Sequence, residues 1–239
     1  MIALIRGEAI KMRSTRTAIG FTVAGVVLTV LFVLVFTLGA NPSDPDLKRE
    51  SLSVARLFVL FVVFGVVGAT GEYRHRTVAP AVLIAPDRLR LLGARAVAYA
   101  VTAAGVGAVM LAVAFALGIP LMAGNGGPSL ALSDYLGLIG GTILIAALGS
   151  ALGVGFGALV GNQVAAVVSV LVYLFVVNGL IGAADSDLIP YTIGIAVPRL
   201  AGIEVEEAFS FPGSLAVLIV WTTVFLAAGL ARERGREVT

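Results

Sequence analysis

Few side chains of this sequence could do catalytic chemistry, and they do not cluster. Its 239 residues include one histidine and no cysteine, so a thiolate nucleophile or a cysteine-based metal site is impossible. The single histidine, His75, cannot make a histidine-based metal site without other ligands. The phosphate-binding pattern G-x-x-x-x-G-K-[ST] is absent, so we do not expect this chain to hydrolyse a nucleotide. The sequence thus predicts no enzyme, no catalytic residue, no metal and no cofactor of its own.

The composition indicates a membrane protein. Hydrophobic residues make up 59% of the chain and charged residues 13%, with a mean hydropathy of +1.05. A soluble domain usually carries about 25% charged residues. With about half that fraction of charged residues, the chain cannot give a globular domain a polar surface. This argues against a soluble enzyme or a disordered chain. The net charge of +2 is too small to indicate a nucleic-acid partner.

Uncharged stretches divide the chain into six predicted membrane spans. A helical span needs about 20 mostly apolar residues, and backbone groups in a bilayer must be satisfied internally, which favours helices. One uncharged stretch, 135–184, has room for two spans and is split by Gly161-Asn162-Gln163. We predict an all-α, polytopic protein with a single transmembrane domain, 1–239, a loop at 71–94 and a cap or re-entrant segment at 184–212. The predicted spans are residues 17–39, 53–70, 95–119, 134–160, 163–183 and 213–231.

The distribution of charge predicts the orientation of these spans. If the N-terminus is cytoplasmic, 12 of the 16 Lys and Arg residues lie inside, and nine of the 14 acidic residues lie outside. This bias agrees with the positive-inside rule. Six spans then place both termini in the cytoplasm, with the loop 71–94 cytoplasmic and the segment 184–212 outside. The expected location is the cytoplasmic (inner) membrane, as a multi-pass protein.

The interiors of the predicted spans contain no ionisable residue, because Arg56 and Asp134 lie near span ends. Ionisable groups inside a bilayer are costly and usually functional. Proton-coupled transporters and intramembrane proteases need such groups. Their absence argues against both classes.

The loop 71–94 is the most informative hydrophilic segment. Its front is charged and aromatic, its middle is apolar, and Pro80 is expected to end or kink any helix there. A short surface helix at its front would present charged side chains to a soluble protein. The alternative is that these arginines only set the topology.

Two strings of residues resemble a known family, the ABC-2 type ABC transporter permeases. The similarity is greatest to the small six-span permeases common in actinobacteria, and six spans with both termini inside fit the same layout. The loop string is Glu72-Tyr73-Arg74-His75-x-Thr77, followed by Leu83, Pro86, Arg88 and Leu92. The N-terminal string is Glu8-x-x-Lys11-x-Arg13-Ser14-Thr15-Arg16, just before the first span.

The resemblance implies a partner arrangement. A permease subunit of this family pairs with a second, identical or paralogous permease, and two separate ABC ATPase subunits hold ATP and Mg²⁺ on its cytoplasmic face. The loop after the second span then acts as a coupling helix docked on the ATPase, and the N-terminal string as a connecting helix on the inner leaflet. Carried over, the ATPase-coupling residues are Glu72, Tyr73, Arg74, His75 and Arg76, although Arg76 departs from the small residue expected there.

The resemblance also places the second and fifth spans along the export path. Candidate lining residues are Phe58, Phe61, Phe64, Ser169, Tyr173 and Asn178. Aromatic residues at such spacing also commonly face lipid or the protein core, and that alternative stays open.

The fourth span carries four glycines spaced four residues apart. Such a stripe lies along one face of a helix and allows close approach of another helix. Packing within one subunit is favoured over a subunit interface. These helix-packing residues are Gly149, Gly153, Gly157 and Gly161.

The function predicted from these features is that of the permease subunit of an ABC exporter. Its cargo would be apolar or amphipathic, such as a drug, antibiotic, lipid or hydrophobic peptide, and its mechanism would be alternating access. Two alternatives remain: an ATP-independent channel or facilitative carrier, and a non-transporting membrane anchor subunit.

Overall fold

The computed structural model describes residues 2–14, 16–39, 45–74, 88–124 and 130–235. All regular elements in these ranges are helical, so the prediction of an all-α fold holds for them. Short 3₁₀ turns cover Ala55–Leu57 and Ser186–Tyr191, and a π-helical turn covers Tyr173–Val177. The α-helices are α1 (Ile2–Ser14), α2 (Arg16–Gly39), α3 (Pro45–Leu52), α4 (Phe58–Arg74), α5 (Arg88–Gly124), α6 (Leu132–Val160), α7 (Gln163–Val172), α8 (Asn178–Ala184), α9 (Ile193–Leu200) and α10 (Phe211–Gly235).

Within the described ranges, five helical stretches are long and apolar enough to cross a membrane, and they identify the chain as a multi-pass membrane protein. The fifth predicted span is one continuous helical stretch, in which α7 and α8 flank the π-helical turn. The second predicted span, 53–70, corresponds to the shorter apolar stretch Ala55–Gly71. The five long stretches are Arg16–Leu38, Arg88–Ala123, Leu132–Val160, Gln163–Ala184 and Phe211–Gly235.

Helix α6 lies at the centre of the bundle. In the most apolar 18-residue stretch of α6, 61% of the residues are buried. The same measure for the stretch Gln163–Ala184 is 11%. Helices α4, α5 and α10 all pack against it. Its small residues make this possible, since glycines let neighbouring backbones approach closely.

The two ends of the bundle are distinguished by the segments that close them. We call one end the terminal end, because α1 packs there against α5 and the last helix, α10, finishes there. We call the other the cap end, because the cap segment (184–212) lies there. At the cap end α3 is tied to the start of α6 by an ion pair between Arg49 Nη2 and Asp134 Oδ1, 3.0 Å apart.

The polar hinge in the long uncharged stretch forms a tight turn at the terminal end. Gly161 adopts a left-handed conformation (φ 68°) and its N–H donates to the Gly157 carbonyl oxygen at 2.8 Å. Asn162 then starts α7, because its side-chain oxygen accepts a hydrogen bond from the backbone N–H of Ala165 at 3.1 Å. This turn lets α7 run back beside the bundle as a separate span.

The cap segment folds back into the bundle rather than lying over it. The indole N–H of Trp221, inside α10, donates to the carbonyl oxygen of Tyr191 at 3.0 Å. At the other end of α9 the carbonyl group of Leu200 lies directly against Gly141, within α6. Both contacts lie about ten residues inside their helices, which places α9 between α10 and α6 below the rim of the cap end.

Candidate functional site

Two adjoining cavities lie between the start of α4 and the cap segment. The outer one, which we call the outer pocket, has a volume of about 450 Å³. The inner one, which we call the inner cavity, has a volume of about 90 Å³. They share Phe58, Leu174 and Ile193 as lining residues, so the three side chains form the boundary between them.

The inner cavity is almost entirely apolar. Three of the predicted lining residues, Phe58, Ser169 and Tyr173, meet around it, although they come from two different spans. The Tyr173 hydroxyl approaches the backbone of Ile193, without reaching hydrogen-bond geometry. The remaining residues that line the inner cavity are Val62, Leu152, Phe156, Val170, Leu174, Ile193 and Phe225.

Phe61 and Phe64 point away from this cavity. The Phe64 ring packs against Phe21, with centroids 5.3 Å apart, and against Tyr99, with centroids 5.0 Å apart. Phe61 lies in the same direction, against Gly107 of α5. The reason is helical rotation: with 3.6 residues per turn, each step of three residues turns the side chain by about 60°, so the third phenylalanine points about 120° from the first.

Asn178 packs against α9. A Cβ atom added to Gly194 would lie 2.5 Å from the Asn178 side-chain carbon, so a larger residue at position 194 would require this amide to move. The Asn178 side-chain oxygen is buried and has no hydrogen-bond partner in the part of the chain that the structure describes. Asn178 is not among the residues that line either cavity, but it contacts the outer pocket's lining residue Gly194.

The outer pocket contains charged residues that were not among the predicted site residues. The Arg56 guanidinium pairs with Glu50 and stacks over the Phe36 ring, with its central carbon 3.8 Å from the ring centroid. Glu204 lines the same pocket, in the part of the cap segment that follows α9. The sequence carried only a weak signal for this group, because an arginine near a span end can also simply extend to the membrane interface.

The predicted ATPase-coupling residues fall at the edge of what the structure describes. The backbone of α4 continues to Arg74 and so includes the first three of them, but the side chains of Glu72, Tyr73 and Arg74 lie outside the described structure. His75 and Arg76 lie outside it altogether. Their role stays a prediction.

The glycine stripe of α6 faces α4 within the same subunit. A Cβ atom on Gly149 would lie 2.6 Å from the Phe58 ring, and one on Gly157 would lie 2.9 Å from the Cβ of Ala69. Gly153 sits between them against the backbone of Val62. The fourth glycine, Gly161, instead ends the helix. The first three therefore hold Phe58 and the rest of α4 close to the bundle centre.

A second group of ionisable residues lies at the terminal end. Arg95 Nε is 3.8 Å from Glu8 Oε2, and their side chains are 3% and 10% exposed. Lys11 lies 3.9 Å from the other oxygen of the same carboxylate. This buried pair attaches α1 to α5. Among the described residues no three histidine, aspartate or glutamate side chains come together as metal ligands.

Comparison with known proteins adds no family assignment. No protein-family model matches the sequence, and no curated protein matches it at a significant level. The structure defines the class as a multi-pass, all-α membrane protein with two adjoining cavities at the cap end.

Proposed function

We propose that this chain is the membrane-spanning permease subunit of an ATP-binding cassette exporter that moves an apolar or amphipathic compound. The observation that carries the proposal is the path of α4. This single helix runs without interruption from Phe58, which lines both cavities, to Arg74, which lies within the predicted coupling loop (71–94). A displacement at the loop is therefore transmitted to the wall of the cavities.

The proposal counts α4 and the turn before it as a sixth span. The apolar stretch Ala55–Gly71 is 17 residues long, which gives about 25 Å of helix. A span a few ångströms shorter than the hydrocarbon core costs only fractions of a kcal/mol per ångström, since the bilayer thins or flanking residues adjust. Arg56 fits this position, because its side chain turns back toward Glu50 at the cap end. With six spans both termini are cytoplasmic and the cap segment is outside, in the cytoplasmic membrane.

In the proposed mechanism the chain supplies the path and its partners supply the energy. Two permease subunits pair, and two ABC ATPase subunits hold ATP and Mg²⁺. Each ATPase subunit docks on the loop around Glu72 of one permease. Their closure pushes on the loop and moves α4 along α6. Because Phe58 forms the boundary between the inner cavity and the outer pocket, its movement opens or closes the passage between them. Amphipathic cargo then leaves on the cap side.

The first test asks whether the chain binds an ABC ATPase and stimulates its ATP hydrolysis. The genes that flank the gene for this chain are searched for an ABC ATPase. A candidate found there is co-expressed with the chain, and ATP hydrolysis by the purified complex is measured in lipid nanodiscs. We expect Glu72→Arg to insert normally and to lose the stimulation of hydrolysis that the wild-type chain gives. Glu233→Arg is the matched control, since this acid lies at the same end but on α10, and it should retain stimulation.

Two results would count against the proposal. A wild-type chain that neither binds the ATPase nor alters its hydrolysis would remove the exporter assignment and leave the channel, carrier or anchor alternatives. Equal stimulation by Glu72→Arg and the wild-type chain would remove the docking assignment of the loop.

A further inference from the structure

The outer pocket has the size and composition of a small-molecule site. Its volume of about 450 Å³ lies within the roughly 300–1,000 Å³ of typical ligand pockets, which combine apolar walls with a few polar groups. Its walls come from the start of α4, from the π-helical turn and from the cap segment. Among the described residues that line it, three are charged: Glu50, Arg56 and Glu204.

The charge balance of this pocket favours a cation. Arg56 is already neutralised by Glu50 and covered on one face by Phe36. In the described part of the chain no lysine or arginine pairs with Glu204. Among the described residues Glu204 therefore has no cationic partner, and apart from the Arg56–Glu50 pair it shares the pocket with uncharged lining residues.

Aromatic side chains strengthen the same preference. Phe58 and Phe175 both line the outer pocket, and a cation within about 6 Å of an aromatic face is attracted by the ring quadrupole. Beyond Phe58 the apolar inner cavity continues toward Phe156 and Phe225. A ligand with a positive head and an apolar body would place its charge near Glu204 and its body against these rings.

We infer that the outer pocket binds a lipophilic organic cation, held by Glu204 at its charged group and by Phe58 and Phe175 at its apolar part. As an assignment of cargo class this rests on the proposed exporter function, whereas the binding itself needs neither ATP nor an ATPase. The uncharged neighbour of Glu204 in the pocket wall, Ile203, gives a position at which a larger side chain would fill the same space.

The test uses two probes of nearly equal size and opposite charge. The purified chain in phosphatidylcholine nanodiscs is titrated with radiolabelled tetraphenylphosphonium, with binding to empty nanodiscs subtracted, and unlabelled tetraphenylborate serves as competitor. We expect saturable binding of the cation and weak competition by the anion. Glu204→Gln should lower the affinity about threefold to fivefold, because it removes a charge–charge contact at an exposed position of the pocket wall. Glu207→Gln should stay within about twofold, because that acid, exposed like Glu204, does not line the pocket.

A variant that fills the outer pocket with a larger side chain gives a second, independent test of the site. Ile203→Trp should abolish binding while leaving the unfolding midpoint in the same nanodiscs unchanged. Absence of saturable binding, an unchanged affinity in Glu204→Gln, or equal competition by tetraphenylborate would each overturn the site. If the wild-type chain shows no saturable binding of the cation but still stimulates the ATPase, the site is wrong and the exporter proposal stands. Glu204-dependent binding by a chain that never stimulates an ATPase would keep the site and remove the exporter proposal.

Discussion

The contact between α4 and α6 predicts a large effect of one added methyl group. A Cβ atom at Gly153 would overlap the carbonyl oxygen of Val62 and lie 2.9 Å from its carbonyl carbon and 3.0 Å from the Val66 backbone nitrogen. All three atoms are backbone, so no side chain can rotate away. The helices would have to separate by about 1 Å to restore van der Waals distance, which loosens the packing along their whole contact.

The cost of Gly153→Ala follows from this geometry. Overpacking of a close contact costs about 1–3 kcal/mol, and a clash with rigid backbone belongs at the upper end of that range. A loss of about 2–3 kcal/mol lowers the unfolding midpoint of a chain this long by roughly 5–10 °C. The assay is thermal unfolding of the purified chain in one detergent, followed by near-ultraviolet absorbance or by a thiol-independent dye.

The matched control is Gly140→Ala in the same helix. A Cβ atom at Gly140 would meet no other atom within 4 Å, and alanine is the better helix former by about 1 kcal/mol. This variant should be unchanged or slightly more stable than the wild type. Equal unfolding midpoints for the two variants would refute the close packing of α4 on α6, and with it the path by which α4 carries movement to the cavities.

Three further outcomes follow from other contacts. Glu8→Gln removes a carboxylate that is nearly buried beside Arg95, so we expect a loss of about 2 kcal/mol in thermal unfolding and faster proteolysis of α1; an unchanged midpoint would contradict the role of this pair in docking α1. Asn162→Ala should cost about 1 kcal/mol, because α7 loses its N-terminal cap, whereas Asn162→Ser should restore most of it; equal stability of the two variants would argue against the cap. Since the chain has no cysteine, single cysteines report sidedness cleanly: an impermeant maleimide should label Glu207→Cys in intact cells and Arg234→Cys only after permeabilisation, and the reverse pattern would invert the proposed orientation.

The helices could be predicted from the sequence because the membrane leaves the chain few alternatives. Long uncharged stretches have to be helical to satisfy their backbone groups, and the polar triplet around Asn162 had to interrupt the longest of them. The turn there uses residue types suited to it, a glycine at positive φ followed by an N-capping asparagine.

The cavities could not be predicted in the same way, because they depend on how helices far apart in sequence are rotated and inserted. Phe58, Phe61 and Phe64 look equivalent as a string, yet the helical period directs only the first toward α7. The depth of α9 depends on the contact between Tyr191 and Trp221, which are 30 residues apart. Likewise, the neutralisation of Arg56 by Glu50 depends on the turn between α3 and α4, for which the sequence carries no motif.

The measurement that bears most directly on the central claim is transport in inside-out membrane vesicles. The chain, an ABC ATPase that forms a complex with it and a panel of fluorescent lipophilic compounds are combined, and uptake into the vesicles is followed with and without ATP. We predict uptake of at least one compound that requires ATP and both proteins, and that is lost when the phosphate-loop lysine of the ATPase is replaced by alanine. Uptake at the full rate by this chain without ATP and without the ATPase would contradict the exporter and identify a channel or facilitative carrier.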